Sequence, residues 1–229
     1  MTKRYWWIII TYILCQLSGL FVVPFLDFIP KEQRVGSWIA FSFLVTLAIV
    51  LWLLSPERHM HRDEKRASLG ETVKWSIIGI FLIYFTQIIA SIIDIGILGE
   101  APKSQNTEDV MDLVRVSPYA AIVVAIVGPI LEEIIFRKII FGWVYKKTNF
   151  WIGALVSALL FAFLHMDKHI IIYAGIAISL AFLYVKTKRL IVPIIAHCSL
   201  NTIALIFTFT PGIQKMIEEQ QKVPFLHWL

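Results

Sequence analysis

Seven stretches of this chain approach the length and apolarity of a bilayer crossing, and that feature limits the fold more than any other. A helix rises about 1.5 Å per residue, so about 20 mostly apolar residues are needed to span the hydrocarbon core. The stretches are Tyr5 to Leu26, Gly36 to Leu54, Trp75 to Leu98, Pro118 to Tyr145, Phe150 to Met166, Ile170 to Val185 and Leu190 to Thr210. The fifth and sixth are short and are joined only by Asp167, Lys168 and His169. Of 229 residues 58% are apolar and 16% charged, where a soluble domain carries roughly 25% charged residues. These figures exclude a plain water-soluble globule and, more firmly, a disordered chain. Two cysteines cannot form a disulfide scaffold. The expected fold class is all-α: a polytopic membrane helix bundle of about seven transmembrane helices, or eight, forming one integral membrane domain over residues 1–229.

The basic residues orient the bundle. With the N-terminus in the cytosol, 14 Lys and Arg fall on inner segments, among them Lys3, Arg4, Arg58, Arg62, Lys65, Arg66, Lys146, Lys147 and Arg189. Seven fall on outer segments: Lys31, Arg34, Lys103, Arg115, Lys168, Lys215 and Lys222. The positive-inside rule favours this placement, so the chain is expected to be a multi-pass cell-membrane protein with a cytosolic N-terminus. Lys3-Arg4 before an apolar run fits the start of a signal peptide, but the 22-residue run and the lack of an Ala-x-Ala site point to a retained span. Residues 55–74 read as a cytosolic basic loop that touches anionic headgroups or a substrate tail, or is a solvated topogenic loop. The outer loop near residues 99–117 is acidic, with Glu100, Glu108, Asp109 and Asp112 against Lys103 and Arg115. The tail 211–229 reads as mildly amphipathic, with Phe225 and Trp228 suited to the interface.

Ionisable groups inside a membrane segment are costly and mark function by default. The fourth stretch holds Glu132, Glu133 and Arg137, the fifth ends in His165, and the seventh holds His197 and Asn201; Gln87 and Asp94 in the third are further outliers. Counted from the nearest inner boundary, Glu132, His165, Asn201 and His197 lie at depths of about 21, 24, 18 and 12 Å. Three helices can therefore aim polar groups at one pocket. His197 and Asn201, four apart, share a helix face, as do Glu133 and Arg137, whose order suits an internal ion pair. Glu132 is turned from Glu133 by about 100°, so one carboxylate can hold the arginine while the other points elsewhere. Pro129, just before them, removes a backbone donor and favours a bend. A carboxylate and a histidine can draw a proton from water, and histidine and asparagine can donate to an oxyanion. Those are the parts needed for water attack on a peptide carbonyl.

Three sequence motifs carry a family resemblance. Glu132-Glu133-Ile134-Ile135-Phe136-Arg137 resembles the E-E-x-x-x-R motif of the CPBP family, the CAAX-protease and bacteriocin-processing (Abi) family of intramembrane glutamate proteases. Phe161-Ala162-Phe163-Leu164-His165 is similar to its F-x-x-x-H motif, and His197-Cys198-Ser199-Leu200-Asn201 to its H-x-x-x-N/D motif. They stand in family order on successive apolar segments, within a catalytic core at 118–205, and look like those of a bacterial member. The resemblance implies an endopeptidase acting on a membrane-associated or lipidated peptide or protein. Glu132 would activate water with His165 assisting, His197 and Asn201 would hold the oxyanion, and Glu133 and Arg137 would support the site. It implies no metal, no cofactor and no nucleic-acid partner, and a cavity opening toward the cytosol; the partners expected are the substrate and the lipid bilayer.

Other readings stand beside this one. The Glu133–Arg137 pair can be structural, and His197 and Asn201 can be helix-helix hydrogen-bond glue. Asp94 and Gln87 read as loop-edge or packing residues. Zinc ligation by Glu132, Glu133, His165, His169 and His197 lacks an H-E-x-x-H signature. A cysteine protease would need Cys198 beside a base, whereas adjacent His197 points about 100° away. The alternatives from other classes are a non-catalytic membrane scaffold or bacteriocin-immunity protein, and a transporter, which predicts repeats that are not found.

Overall fold

The computed structural model describes residues 1–59, 66–99, 104–210 and Gly212. His61, Arg62 and Lys65 of the basic loop, Glu100 and Lys103 of the outer loop, and the tail at 211 and 213–229 with Lys215, Lys222, Phe225 and Trp228 lie outside the described residues, as do the side chains of Arg58 and His59.

The described residues form eight helices: α1 (Lys3–Val22), α2 (Arg34–Leu54), α3 (Leu69–Gly96), α4 (Gln105–Val116), α5 (120–147), α6 (Phe150–Leu164), α7 (Ile170–Thr187) and α8 (Ile191–Phe209). Four of them start where a side chain supplies the acceptor that a first turn lacks. Thr2, Ser68, Ser104 and Asn149 accept from the backbone N–H of Tyr5, Glu71, Thr107 and Ile152. The Ser68 cap starts α3 inside the stretch read as cytosolic loop. The Ser104 cap starts α4 inside the stretch read as acidic outer loop. Helix α7 ends at Lys188, whose φ of +51° is a left-handed cap.

Helices α1, α2, α3, α7 and α8 are long and apolar enough to cross a membrane. Helix α6 is apolar but has 15 residues. Helix α5 is continuous, yet its winding widens to π-helix over Val123–Val127 and again over Glu133–Phe141. Single π segments inside α-helices mark altered hydrogen bonding and are frequent at functional sites.

The helices alternate between two polar ends. At one end the Tyr5 hydroxyl donates to Glu57 (3.4 Å), Lys138 Nζ lies 2.8 Å from the same carboxylate, and Arg189 Nε donates to the Ala67 carbonyl (2.5 Å). At the other end the Tyr119 and Ser37 hydroxyls meet at 2.5 Å and the Ser104 hydroxyl donates to Asp167 (2.5 Å). Helix α4 stays at this second end. Large apolar side chains such as Leu20, Phe21, Trp52, Phe81 and Phe163 cover the outside, each over 70% exposed. So much exposed apolar surface is what a lipid-facing wall requires. The interior centres on α5, where Leu131, Ile135, Phe136 and Ile139 pack with Ile8 and Tyr12 of α1, Val50 of α2 and Ala158 and Phe161 of α6. Small residues set the close approaches: a methyl on Gly153 would stand 3.2 Å from the Phe141 ring and the Tyr145 nitrogen.

Candidate active site

The site grows from the two windings of α5. Pro129 has no N–H, and the Gly128 N–H bonds back to the Val123 carbonyl, so the Val124 carbonyl is left without a donor from its own helix. Asn201 on α8 supplies one: its Nδ2 donates to the Val124 oxygen at 2.8 Å. A buried carbonyl without a partner is costly, and this bond ties α8 to the first widened winding of α5.

Four residues later the two glutamates diverge. The Glu133 side chain is fully buried; its Oε2 lies 3.1 Å from Arg137 Nε and its Oε1 3.0 Å from His197 Nδ1. Arg137 is fully buried too, its guanidinium carbon 5.0 Å from the centre of the Phe161 ring and 6.0 Å from that of Phe136. The ion pair and the two ring faces offset part of the cost of burying the charge. Glu132 points elsewhere. Its side chain is 19% exposed, and its Oε2 is 3.7 Å from His197 Nε2.

His165 ends α6, and its Nδ1 lies 2.8 Å from the Phe161 carbonyl one turn earlier. A carbonyl only accepts, so Nδ1 carries the hydrogen and, in the neutral ring, Nε2 keeps its lone pair. The same argument places a hydrogen on His197 Nδ1, which donates to the Glu133 carboxylate. Glu132, His165, His197 and Asn201 all line one cavity of about 660 Å³. Glu133 and Arg137 stand behind it. Gln87 is half-buried on α3 and does not line it, and Cys198 aims its Sγ at the Ile126 carbonyl (3.9 Å). Among the described residues, no group of three or more His, Cys, Asp or Glu is placed to hold a metal ion.

More of the lining comes from parts of the chain without motifs. Tyr12 and Gln16 of α1 and Ser42 of α2 face the same cavity, and Gln16 Nε2 donates to the Tyr12 hydroxyl at 3.0 Å. Sequence reasoning passed over all three. Gln16 was the readable signal, a carboxamide in the middle of an apolar span. Asn106 and Thr107 of α4 and Tyr173 of α7 close a further side. Asp94, read as a packing or loop-edge residue, is 1% exposed and bonded to His169 Nδ1 at 2.5 Å.

Comparison with known proteins agrees with the residues. Residues 115–203 match the family model described as type II CAAX prenyl endopeptidase, Rce1-like. The chain is 39% identical over 232 residues to YdiL of Bacillus subtilis (strain 168), a protein named as a membrane peptidase, covering 96% of this chain and 95% of that one. It is 33% identical over 227 residues to the membrane-embedded CAAX protease MroQ of Staphylococcus aureus (strain USA300), covering 93% and 92%. No solved structure matches the chain. With relatives aligned over nearly its whole length and a cavity lined by all three motifs, the chain belongs to the Rce1-like type II CAAX prenyl endopeptidase family, the CPBP family, and is a multi-pass membrane protease.

Proposed function

We propose that this protease hydrolyses a peptide bond of a membrane-associated or lipidated peptide or protein, with Glu132 as the base and no metal. The observation that carries this reading is the division between the glutamates. Glu133 is committed to Arg137 and His197, while Glu132 lines the cavity that His165 also lines, its Oε2 3.7 Å from His197 Nε2.

A water held between Glu132 and His165 gives one proton to the Glu132 carboxylate and one hydrogen bond to His165 Nε2. The water oxygen forms a bond to the scissile carbonyl carbon, and the carbonyl π electrons move to oxygen. Two donors meet that oxyanion. Asn201 has a second amide hydrogen beyond the one given to Val124, and His197 in its imidazolium form offers Nε2–H while Nδ1–H stays on Glu133. Collapse breaks the C–N bond as the proton on Glu132 passes to the leaving nitrogen. Residues 118–205 form the catalytic core in this reading. Helices α1, α2, α3, α5, α6, α7 and α8 cross the bilayer in this reading, and the end carrying Tyr5, Glu57, Lys138 and Arg189 is cytosolic, as the basic residues favour.

The test compares wild type with Glu132→Gln in detergent, on a library of membrane-anchored and C-terminally lipidated peptides, with and without chelator, products read by mass spectrometry. Cleavage by wild type alone, indifferent to chelator, is expected. Cleavage that chelator removes would replace the glutamate mechanism with a metal one. A Glu132→Gln variant that cleaves, or that fully complements a deletion strain, would overturn the role of Glu132.

A further inference from the structure

A second, half-buried polar network sits where α4, α7 and the turn joining α6 to α7 meet. Its centre is Asp167, whose side chain is 3% exposed. The carboxylate accepts from the Ser104 hydroxyl (2.5 Å), the Asn106 backbone N–H (3.1 Å) and the His169 backbone N–H (3.2 Å). Ser104 is the cap of α4 and Asn106 lies in its first turn, so Asp167 fastens α4 to the turn joining α6 and α7. Tyr173 completes the clasp: Asn106 Nδ2 donates to its hydroxyl (3.2 Å), which also meets the Ser104 hydroxyl (3.3 Å). The Tyr173 ring stacks on the imidazole of His165, centroids 4.2 Å apart and planes 29° from parallel.

His165 needs this support because of where it stands. It is the C-cap of α6, followed by Met166 at φ +50°, so the helix ends there in a left-handed turn. The last turn of a helix lacks onward hydrogen bonds and frays unless something holds it. The Phe161 carbonyl fixes one ring nitrogen, the Phe161 ring lies 4.5 Å away at 48°, and the open face is the one that Tyr173 covers.

We propose that Tyr173 is a positioning residue for His165, anchored by Asp167 through the first turn of α4, so that the seating of α4 on the cavity and the aim of His165 Nε2 are one event. The inference rests on His165 acting in the site as described above. It gives α4 a part in the reaction: Asn106 and Thr107 line the same cavity, so a substrate pressing on α4 is felt at His165.

The experiment uses the full-length protein and two readouts. The first is the tautomer of His165, read by nitrogen NMR on ¹⁵N-histidine-labelled protein and assigned by subtraction of a His165→Asn sample. The second is kcat and KM on whichever library peptide the wild type cleaves. Wild type is expected to hold a single Nδ1–H tautomer. Tyr173→Phe keeps the stack and removes the hydroxyl from the clasp, and Asp167→Asn leaves one acceptor oxygen where the clasp uses two; each is expected to mix the tautomers and lower kcat about 5-fold, while Tyr173→Leu loses about 50-fold, with KM unchanged, since small misplacements of a reacting group cost up to about 100-fold. The Tyr173→Phe/Asp167→Asn double variant should lose no more than either single, because both act through one clasp. Should Tyr173→Leu fail to fold, the two milder variants decide. An unaltered His165 spectrum in the variants, an altered one with unaltered kcat, or a loss confined to KM would each overturn the proposal. If wild type cleaves no peptide, the proposed function is what fails, and the spectra alone decide the positioning.

Discussion

Exchanging Glu133 for glutamine takes the carboxylate partner from the fully buried Arg137 guanidinium, whereas the same exchange at Glu132 removes a group 19% exposed on a cavity wall. Breaking one side of a buried pair costs about 3–5 kcal/mol. Glu133→Gln is therefore expected to lower the unfolding midpoint in detergent steeply, and Glu132→Gln to abolish cleavage while staying within about 1 kcal/mol of wild type. Chemical unfolding of both variants beside a cleavage assay checks the pair. Asp167 gives a prediction of opposite character. Its burial works to raise its pKa, but hydrogen bonds from Ser104, His169 and Asn106, with His169 nearby, outweigh that and hold it below the usual carboxylate value. A depressed folded pKa means that the stabilisation is complete above the unfolded pKa of about 3.9 and is lost as pH falls through the folded value. The difference in melting temperature between wild type and Asp167→Asn should stay level from about pH 8 to about pH 5 and close below about pH 4.

At the level of elements, the widened winding of α5 over Val123–Val127 adjoins one missing donor, that of Pro129. Pro129→Ala returns an N–H that can reach the Val124 carbonyl, and Asn201 then loses its reason to hold that oxygen. A proline inside a helix costs about 3 kcal/mol, so the variant is expected to unfold no earlier than wild type while its kcat falls at least 10-fold as Glu132 and Asn201 drift apart. A melting curve and a cleavage assay on the same preparation read both. Pro129, Glu132, Glu133 and Arg137 were all legible in the sequence, because charge and proline stand out in an apolar helix. Helix α4 was not: residues 104–116 are polar on average, and their helix depends on the Ser104 cap and on Asp167, more than 50 residues away. Nor did any local signal pair Asp94 with His169, 75 positions apart, or place Tyr173 against His165. A tyrosine in an apolar run reads the same whether it faces lipid, core or cavity.

Across the whole molecule, the apolar runs marked the order of the apolar helices, since burial in lipid and burial in protein select the same residues, but five of the expected seven are long and apolar enough to cross a membrane; which side of each helix meets the cavity depends on contacts between distant segments. The orientation is testable in intact cells with both native cysteines, Cys15 and Cys198, replaced by alanine. A membrane-impermeant maleimide should label Arg115→Cys from outside and reach Lys147→Cys only after the membrane is opened. The reverse pattern would invert the topology. The cavity lining draws on two unlike sets of residues: Glu132, His165, His197 and Asn201 from the helices with motifs, and Tyr12, Gln16 and Ser42 from the two N-terminal helices. This division predicts that bond breaking and substrate choice are housed on separate stretches of polypeptide. A chimera that carries the first two helices of a relative on this chain's remaining six should keep the chemistry and exchange the repertoire of peptides cut, as a tool keeps its handle when the die is changed.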